Sequence, residues 1–169
     1  MTPNIKLEDF LDYFPSIKLP ITLSENSISH IEKASKILPE SILDTTIRNW
    51  EKVDPDGFTE YVPCFTLAKN ENFVLLVYWK ASLLGFEYFA VTLGYDFKLI
   101  DRKQIASTLH VRDQIKSSVV HIDEDLTFHV VASVNSVTAH SFNPSNSQAF
   151  HFEVNPSGEF IFMKEDYLV

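Results

Sequence analysis

Glycine occurs four times in this chain and cysteine once. So few glycines leave little room for a Gly-rich phosphate cradle. No Walker loop, dinucleotide fingerprint, zincin motif or kinase signature is present. There is no Gly-x-Ser-x-Gly elbow, and Ser82, the serine nearest the strongest strand motif, has no catalytic context. The single Cys64 excludes an intramolecular disulfide and a metal site built on cysteines. It sits in the apolar run Tyr61-Val-Pro-Cys-Phe65, where burial raises a thiol's pKa and disfavours a reactive thiolate.

Basic residues are also scarce. Fourteen Lys and Arg face 23 Asp and Glu, for a net charge of −9, and the longest basic cluster is Arg102-Lys103. A nucleic-acid binder needs a basic patch to displace phosphate counterions, so direct nucleic-acid binding is not expected. No apolar run approaches the ~20 residues that a spanning helix requires. No basic stretch followed by an apolar core marks a secretory signal. The expectation is a cytoplasmic protein with no membrane association.

What the chain does have is aromatic and β-branched residues. Runs such as Phe73-Val-Leu-Leu-Val-Tyr-Trp79 and Phe86-Glu-Tyr-Phe-Ala-Val-Thr-Leu93 suit a pleated, packed surface. Strands are predicted over 59–68, 73–82, 86–94, 97–106, 114–122, 126–134, 147–155 and 159–164. Turn-forming residues separate several of them, as in Asn70-Glu-Asn72, Gly94-Tyr-Asp96, Asp123-Glu-Asp125 and Asn155-Pro-Ser-Gly158. No stretch after residue 58 reads as a crossover helix, so the strands pair antiparallel in sequence order.

The first third has helical spacing instead. Leu7, Phe10, Leu11 and Phe14 form one face of a short helix that Pro15 helps to end. Residues 16–23 read as extended. Ser24 is the expected N-cap of a second helix with Ile28, Ile31 and Ala34 or Ser35 facing inward. A third starts near Pro39 and carries Ile42, Leu43, Ile47 and Trp50. Asp54-Pro-Asp-Gly57 closes this part with strong turn chemistry.

The predicted fold class is therefore α+β and mainly antiparallel β. It has about eight strands in a meander, curled or folded into two layers, with two or three N-terminal helices. One domain spans 1–169, with a helical part (1–57) packed on the β-meander (58–169). Eight strands would make only two propeller blades, too few to close a ring. The stretch 135–146, rich in Ser and Asn, reads as the least ordered.

Three features bear on chemistry. His121 and His129 flank the Asp123-Glu124-Asp125 turn. A two-residue turn would set the imidazoles on opposite faces, whereas a three-residue loop at 124–126 would pair them directly. A metal would still need a third ligand such as His151 or Glu153, and the histidines read as structural or surface groups, with no metal or cofactor expected. Asp54-Pro-Asp-Gly57 with Glu60 and the 123–125 turn carry closely spaced carboxylates, but neither is a 12-residue calcium loop. Between them lies Tyr78-Trp-Lys-Ala-Ser-Leu-Leu-Gly-Phe-Glu-Tyr-Phe89. It gathers Tyr78, Trp79, Lys80, Glu87 and Tyr88 around one connection, and these five are the candidate ligand-binding residues. If Lys80 and Glu87 face inward, each needs a partner to offset desolvation.

Several phrases carry a resemblance. Phe10-Leu-Asp-Tyr-Phe-Pro15, Glu60-Tyr-Val-Pro-Cys-Phe65, the Tyr78 to Tyr88 phrase and Leu99-Ile-Asp-Arg-x-x-Ile-Ala106 resemble a family of small uncharacterised bacterial proteins. The likeness covers most of the chain. Its phrases are structural, and it implies a bacterial origin without an activity or a site. Ser107 stands where family members often carry glycine.

The expected function follows from charge. A small acidic domain without catalytic signatures fits a non-enzymatic binding protein acting through an acidic protein–protein surface. An immunity or inhibitor protein against a basic toxin is the leading form, since its carboxylates would meet the toxin's Lys and Arg. The alternative is a small-molecule-binding β-domain with an aromatic-lined pocket.

Overall fold

The computed structural model describes residues 2–137 and 146–166. Its elements are α1 (Leu7–Leu11), β1 (Ile21–Leu23), α2 (Ile28–Ala34), α3 (Glu40–Thr45), α4 (Ile47–Glu51), β2 (Glu60–Lys69), β3 (Val74–Ser82), β4 (Gly85–Leu93), β5 (Leu99–Val111), β6 (Gln114–Ile122), β7 (Phe128–Ser136), β8 (Ser147–Val154) and β9 (Phe160–Asp166). The expected α+β class is observed. β2 to β9 form a sequential antiparallel meander, and β1 adds a short strand against β6. Most of the 135–146 stretch lies outside the described residues.

Two details of the helical part differ from the sequence reading. The expected third helix is two short helices broken at Thr46, whose backbone (φ −120°, ψ −97°) leaves the helical region. The Thr46 hydroxyl donates back to the Ile42 carbonyl at 2.6 Å, a local bond that competes with helix continuation. The second helix begins at Ile28 rather than beside Ser24, because Ser24 to Ser27 form a preceding turn. There the Ser24 N–H donates to the Ser27 hydroxyl at 2.9 Å.

The sheet folds over on itself about β5. Leu99 to Gln104 pair only with β4, whereas Ser107 to Val111 pair with β6. Once β5 has bent away, β1 takes its place on β6, with Thr22 opposite His121 and Leu23 opposite Val120. The β8–β9 turn returns to the other half of the sheet. The Thr92 hydroxyl donates to the Gly158 carbonyl at 2.5 Å, and the Phe160 N–H donates to Asp101 Oδ2 at 2.8 Å. β2 and β9 nevertheless end the sheet unpaired with each other, so it does not close into a barrel.

Period-two alternation on β3 and β4 feeds two cores. Leu75, Val77, Tyr88 and Ala90 point between the halves of the folded sheet, to meet Ile105, Val120, Ile122, Phe128 and Phe152. Val74, Leu76, Tyr78, Phe89 and Val91 point the other way, to meet Phe10, Phe14, Ile42 and Ile47 of the helical part. Helices of five to seven residues are not stable alone. Burying Phe10 and Phe14 contributes roughly 1.5–3 kcal/mol apiece, which holds α1 in place.

Candidate functional site

The same alternation separates the five residues expected to share a site. Tyr78, Lys80 and Glu87 lie on the helix-facing side of the sheet, while Trp79 and Tyr88 belong to the inner core. Lys80 and Glu87 are opposite each other in the β3–β4 register, yet each has another partner. Lys80 Nζ lies 2.7 Å from Glu51 Oε1, and Glu87 accepts from Gln104 Nε2 at 2.6 Å. The five do not converge on one site.

Glu51, at the end of α4, is the residue that sequence reasoning missed. Its side chain is 2% exposed, and its carboxylate also meets Arg102 Nη2 at 3.3 Å and accepts from the Tyr61 hydroxyl at 3.0 Å. Arg102 Nε donates to the Tyr78 hydroxyl at 2.8 Å, and its guanidinium lies 4.1 Å over the Phe89 ring. One carboxylate, two cations and two phenols satisfy one another. Burial, with the Glu51 charge adding to it, pushes the Tyr61 and Tyr78 phenols well above their ordinary range. The group bolts α4 to the sheet.

The histidine question resolves to the three-residue loop. His121 stands opposite His129, and His129 opposite His151, in a row across β6, β7 and β8. Asp123 bridges the first two, with Oδ1 at 3.2 Å from His121 Nε2 and Oδ2 at 2.7 Å from His129 Nε2. Among the described residues no group of three or more His, Cys, Asp or Glu is placed to hold a metal ion. The Asp56 carboxylate accepts from the Thr59 hydroxyl and from the Thr59 and Phe58 N–H groups. Those bonds hold its pKa down to about 2.

A concave site lies elsewhere, at the seam between the two edges that fail to pair. β2 is an edge strand and carries Pro63, a residue that cannot donate to a neighbouring strand. On its outer side Thr66 bridges to Ser16, with the Thr66 N–H donating to the Pro15 carbonyl at 2.9 Å. β1 binds β6 instead, so a crevice of about 360 Å³ is left between β1 and β2, with α2 across it. Its apolar lining comes from Ile17, Ile21, Leu23, Ile31, Cys64 and Phe65.

Four polar residues stand with them: Ser16, Thr22, Ser27 and His30. The Ser16 hydroxyl has no hydrogen bond among the described residues. Thr22 is bonded to His121 Nδ1 at 2.8 Å, and the Ser27 hydroxyl is engaged with the Ser24 N–H and the Thr22 carbonyl. His30 is exposed, and its ring has no hydrogen bond among the described residues. α2 buries none of its residues, although Ile31 packs against the core. The Tyr88 hydroxyl donates to the Ser24 carbonyl at 3.1 Å and so ties the turn before α2 to the inner core.

The crevice is mainly aliphatic rather than aromatic in its lining. Among the described residues Phe65 is its one phenyl ring, because most of the large rings fill the two cores. Burial pushes the Cys64 thiol far above its ordinary range. The crevice can enclose an apolar body and meet a polar end at its rim. No family model, curated protein or solved structure matches this chain.

Proposed function

We propose that this chain is a non-enzymatic binding protein that takes a small apolar molecule into the seam between β1 and β2. The observation that carries this reading is the apolar crevice itself, roofed by a helix with no fully buried residue. Its volume of about 360 Å³ falls within the ~300–1,000 Å³ usual for small-molecule sites. A helix held by few buried side chains can shift to admit a ligand at small cost.

The test is direct. Native mass spectrometry of the purified protein should show a bound small molecule or uptake of added decanol. Amide shifts on titration should cluster at Ser16 to Ala34 and at Cys64 and Phe65. Shifts spread over the surface, or absent at these positions, would sink the reading.

A second reading is a basic protein partner, as for an inhibitor of a basic toxin. Glu8, Asp9 and Asp12 on and beside α1 are exposed and have no ion pair among the described residues. This supports attraction of a cationic surface. Affinity that does not fall from low to high salt would count against it.

A further inference from the structure

We infer that the crevice selects a single-chain, medium-length monocarboxylate, with its chain inside and its carboxylate at the rim on His30. The inference rests on the reading that the crevice is a binding site, and it names the ligand class.

The chain follows from size and lining. A volume of about 360 Å³ is more than twice the ~150 Å³ of an apolar cavity that takes up benzene. It is too small for a lipid with two long tails. Ile17, Ile21, Leu23, Ile31 and Phe65 offer methyl, methylene and ring surfaces that reward burial of a hydrocarbon in proportion to the area removed from water.

The polar end follows from what the rim offers. Among the described residues no Lys, Arg, Asp or Glu lines the crevice, and His30 is its single histidine. An amine would find no carboxylate there. A phosphate or other multiply charged anion would find no fixed cation, against a protein of net charge −9.

A single carboxylate needs less. His30 presents an imidazole with no internal hydrogen bond, and an N–H of that ring can donate to a carboxylate oxygen. Thr22 and Ser27 are already engaged with His121 and with backbone groups, and the exposed Ser16 hydroxyl offers a second, neutral donor beside the imidazole. Because His30 is exposed, the carboxylate remains partly hydrated, and the desolvation that penalises a buried charge is avoided. A charge-assisted bond is roughly twice as strong as a neutral one, so the acid is favoured over the alcohol of equal chain length.

The experiment is calorimetric titration of the whole chain with decanoate and decanol, below the concentrations at which either self-associates. Three proteins are compared: the unaltered chain, His30→Leu and Ala34→Trp. Both positions are exposed on α2, so each variant should keep the fold, checked by circular dichroism. The expected result is decanoate binding weakened roughly tenfold by His30→Leu, with decanol binding unchanged. Ala34→Trp, which puts an indole beside the crevice, should abolish both. Equal affinity for acid and alcohol, indifferent to His30→Leu, would overturn the assignment of the polar end and leave the crevice as a binding site. Failure of both ligands to bind, or binding untouched by Ala34→Trp, would overturn the crevice reading itself.

Discussion

Glu51 of α4 and Lys80 of β3 stand 2.7 Å apart, carboxylate to ammonium, across 29 residues of sequence. The Glu51 side chain is 2% exposed against 18% for Lys80, so the carboxylate is the more deeply held partner. Arg102 and Tyr61 complete its surroundings. Removing the carboxylate would leave two cations facing each other with no counterion. Breaking such a group typically costs about 3 kcal/mol or more, whereas an apolar replacement of a whole pair is often neutral. Glu51→Ala should therefore lower the stability by about 3 kcal/mol in urea unfolding. The double variant Glu51→Leu with Lys80→Met should recover part of that loss. A cost below about 1 kcal/mol for Glu51→Ala would show the group to be solvent-screened.

Three tyrosines, two beside this group and one in the inner core, predict an alkaline limit. Tyr61, Tyr78 and Tyr88 have pKa values raised mainly by burial. A raised folded-state pKa adds stability that is complete below the unfolded value of about 10. That stability is lost as pH rises beyond it, because the unfolded chain releases its phenolic protons and the folded chain does not. Absorbance titration at 295 nm should show these three phenolates forming only together with loss of the fold. Their smooth ionisation while circular dichroism is unchanged would refute the burial.

Gly85 opens β4 at φ 140°, a backbone region that side-chain-bearing residues rarely adopt. A Cβ at this position would overlap the Thr108 carbonyl oxygen on β5. Gly85→Ala should cost more than 2 kcal/mol, from strain and from displacement of that strand. Gly57→Ala is the control, since its φ is also positive but nothing lies within 4 Å of the added carbon. Equal costs for the two, read from urea midpoints, would show that close packing at Gly85 adds nothing.

How far the sequence could be read depended on the range over which each signal acts. The alternation in Val74 to Tyr78 and Tyr88 to Leu93 is local, and it placed β3 and β4 within about a residue of their observed limits. The 124–126 loop is equally local, and of the two registers weighed for His121 and His129 the structure adopts the direct pairing. The helical spacing of Ile42, Leu43, Ile47 and Trp50 was legible, but the break at Thr46 was not. That break depends on a side-chain bond to Ile42 that no periodicity reports. Period two in the sequence already separates Trp79 from Tyr78 and Lys80, and the structure places Tyr88 with Trp79 on that opposite face. The partner of Lys80 came from a helix far upstream, and only a pairing between distant elements could reveal it. The crevice was hidden for the same reason. It exists because β1 pairs with β6 rather than with β2, along the end of β6 that β5 leaves unpaired.

Cys64 supplies a probe of that crevice. Cys64 is 2% exposed and lines the crevice, and its thiol has a pKa raised chiefly by burial, so the thiolate that attacks a disulfide reagent is almost unpopulated in the folded state. The thiol should react with Ellman's reagent only when α2 lifts or the chain unfolds. Labelling of the native protein should therefore be at least about a hundredfold slower than in urea, in keeping with opening free energies of a few kcal/mol. A molecule seated in the crevice would hold α2 down and slow labelling further, in proportion to its occupancy. Decanol is the probe, and Ala34→Trp, which should not take it up, is the control. Labelling as fast in the native state as in urea would show Cys64 to be open to solvent. Labelling slow in the native state but indifferent to decanol would show that α2 moves independently of any occupant.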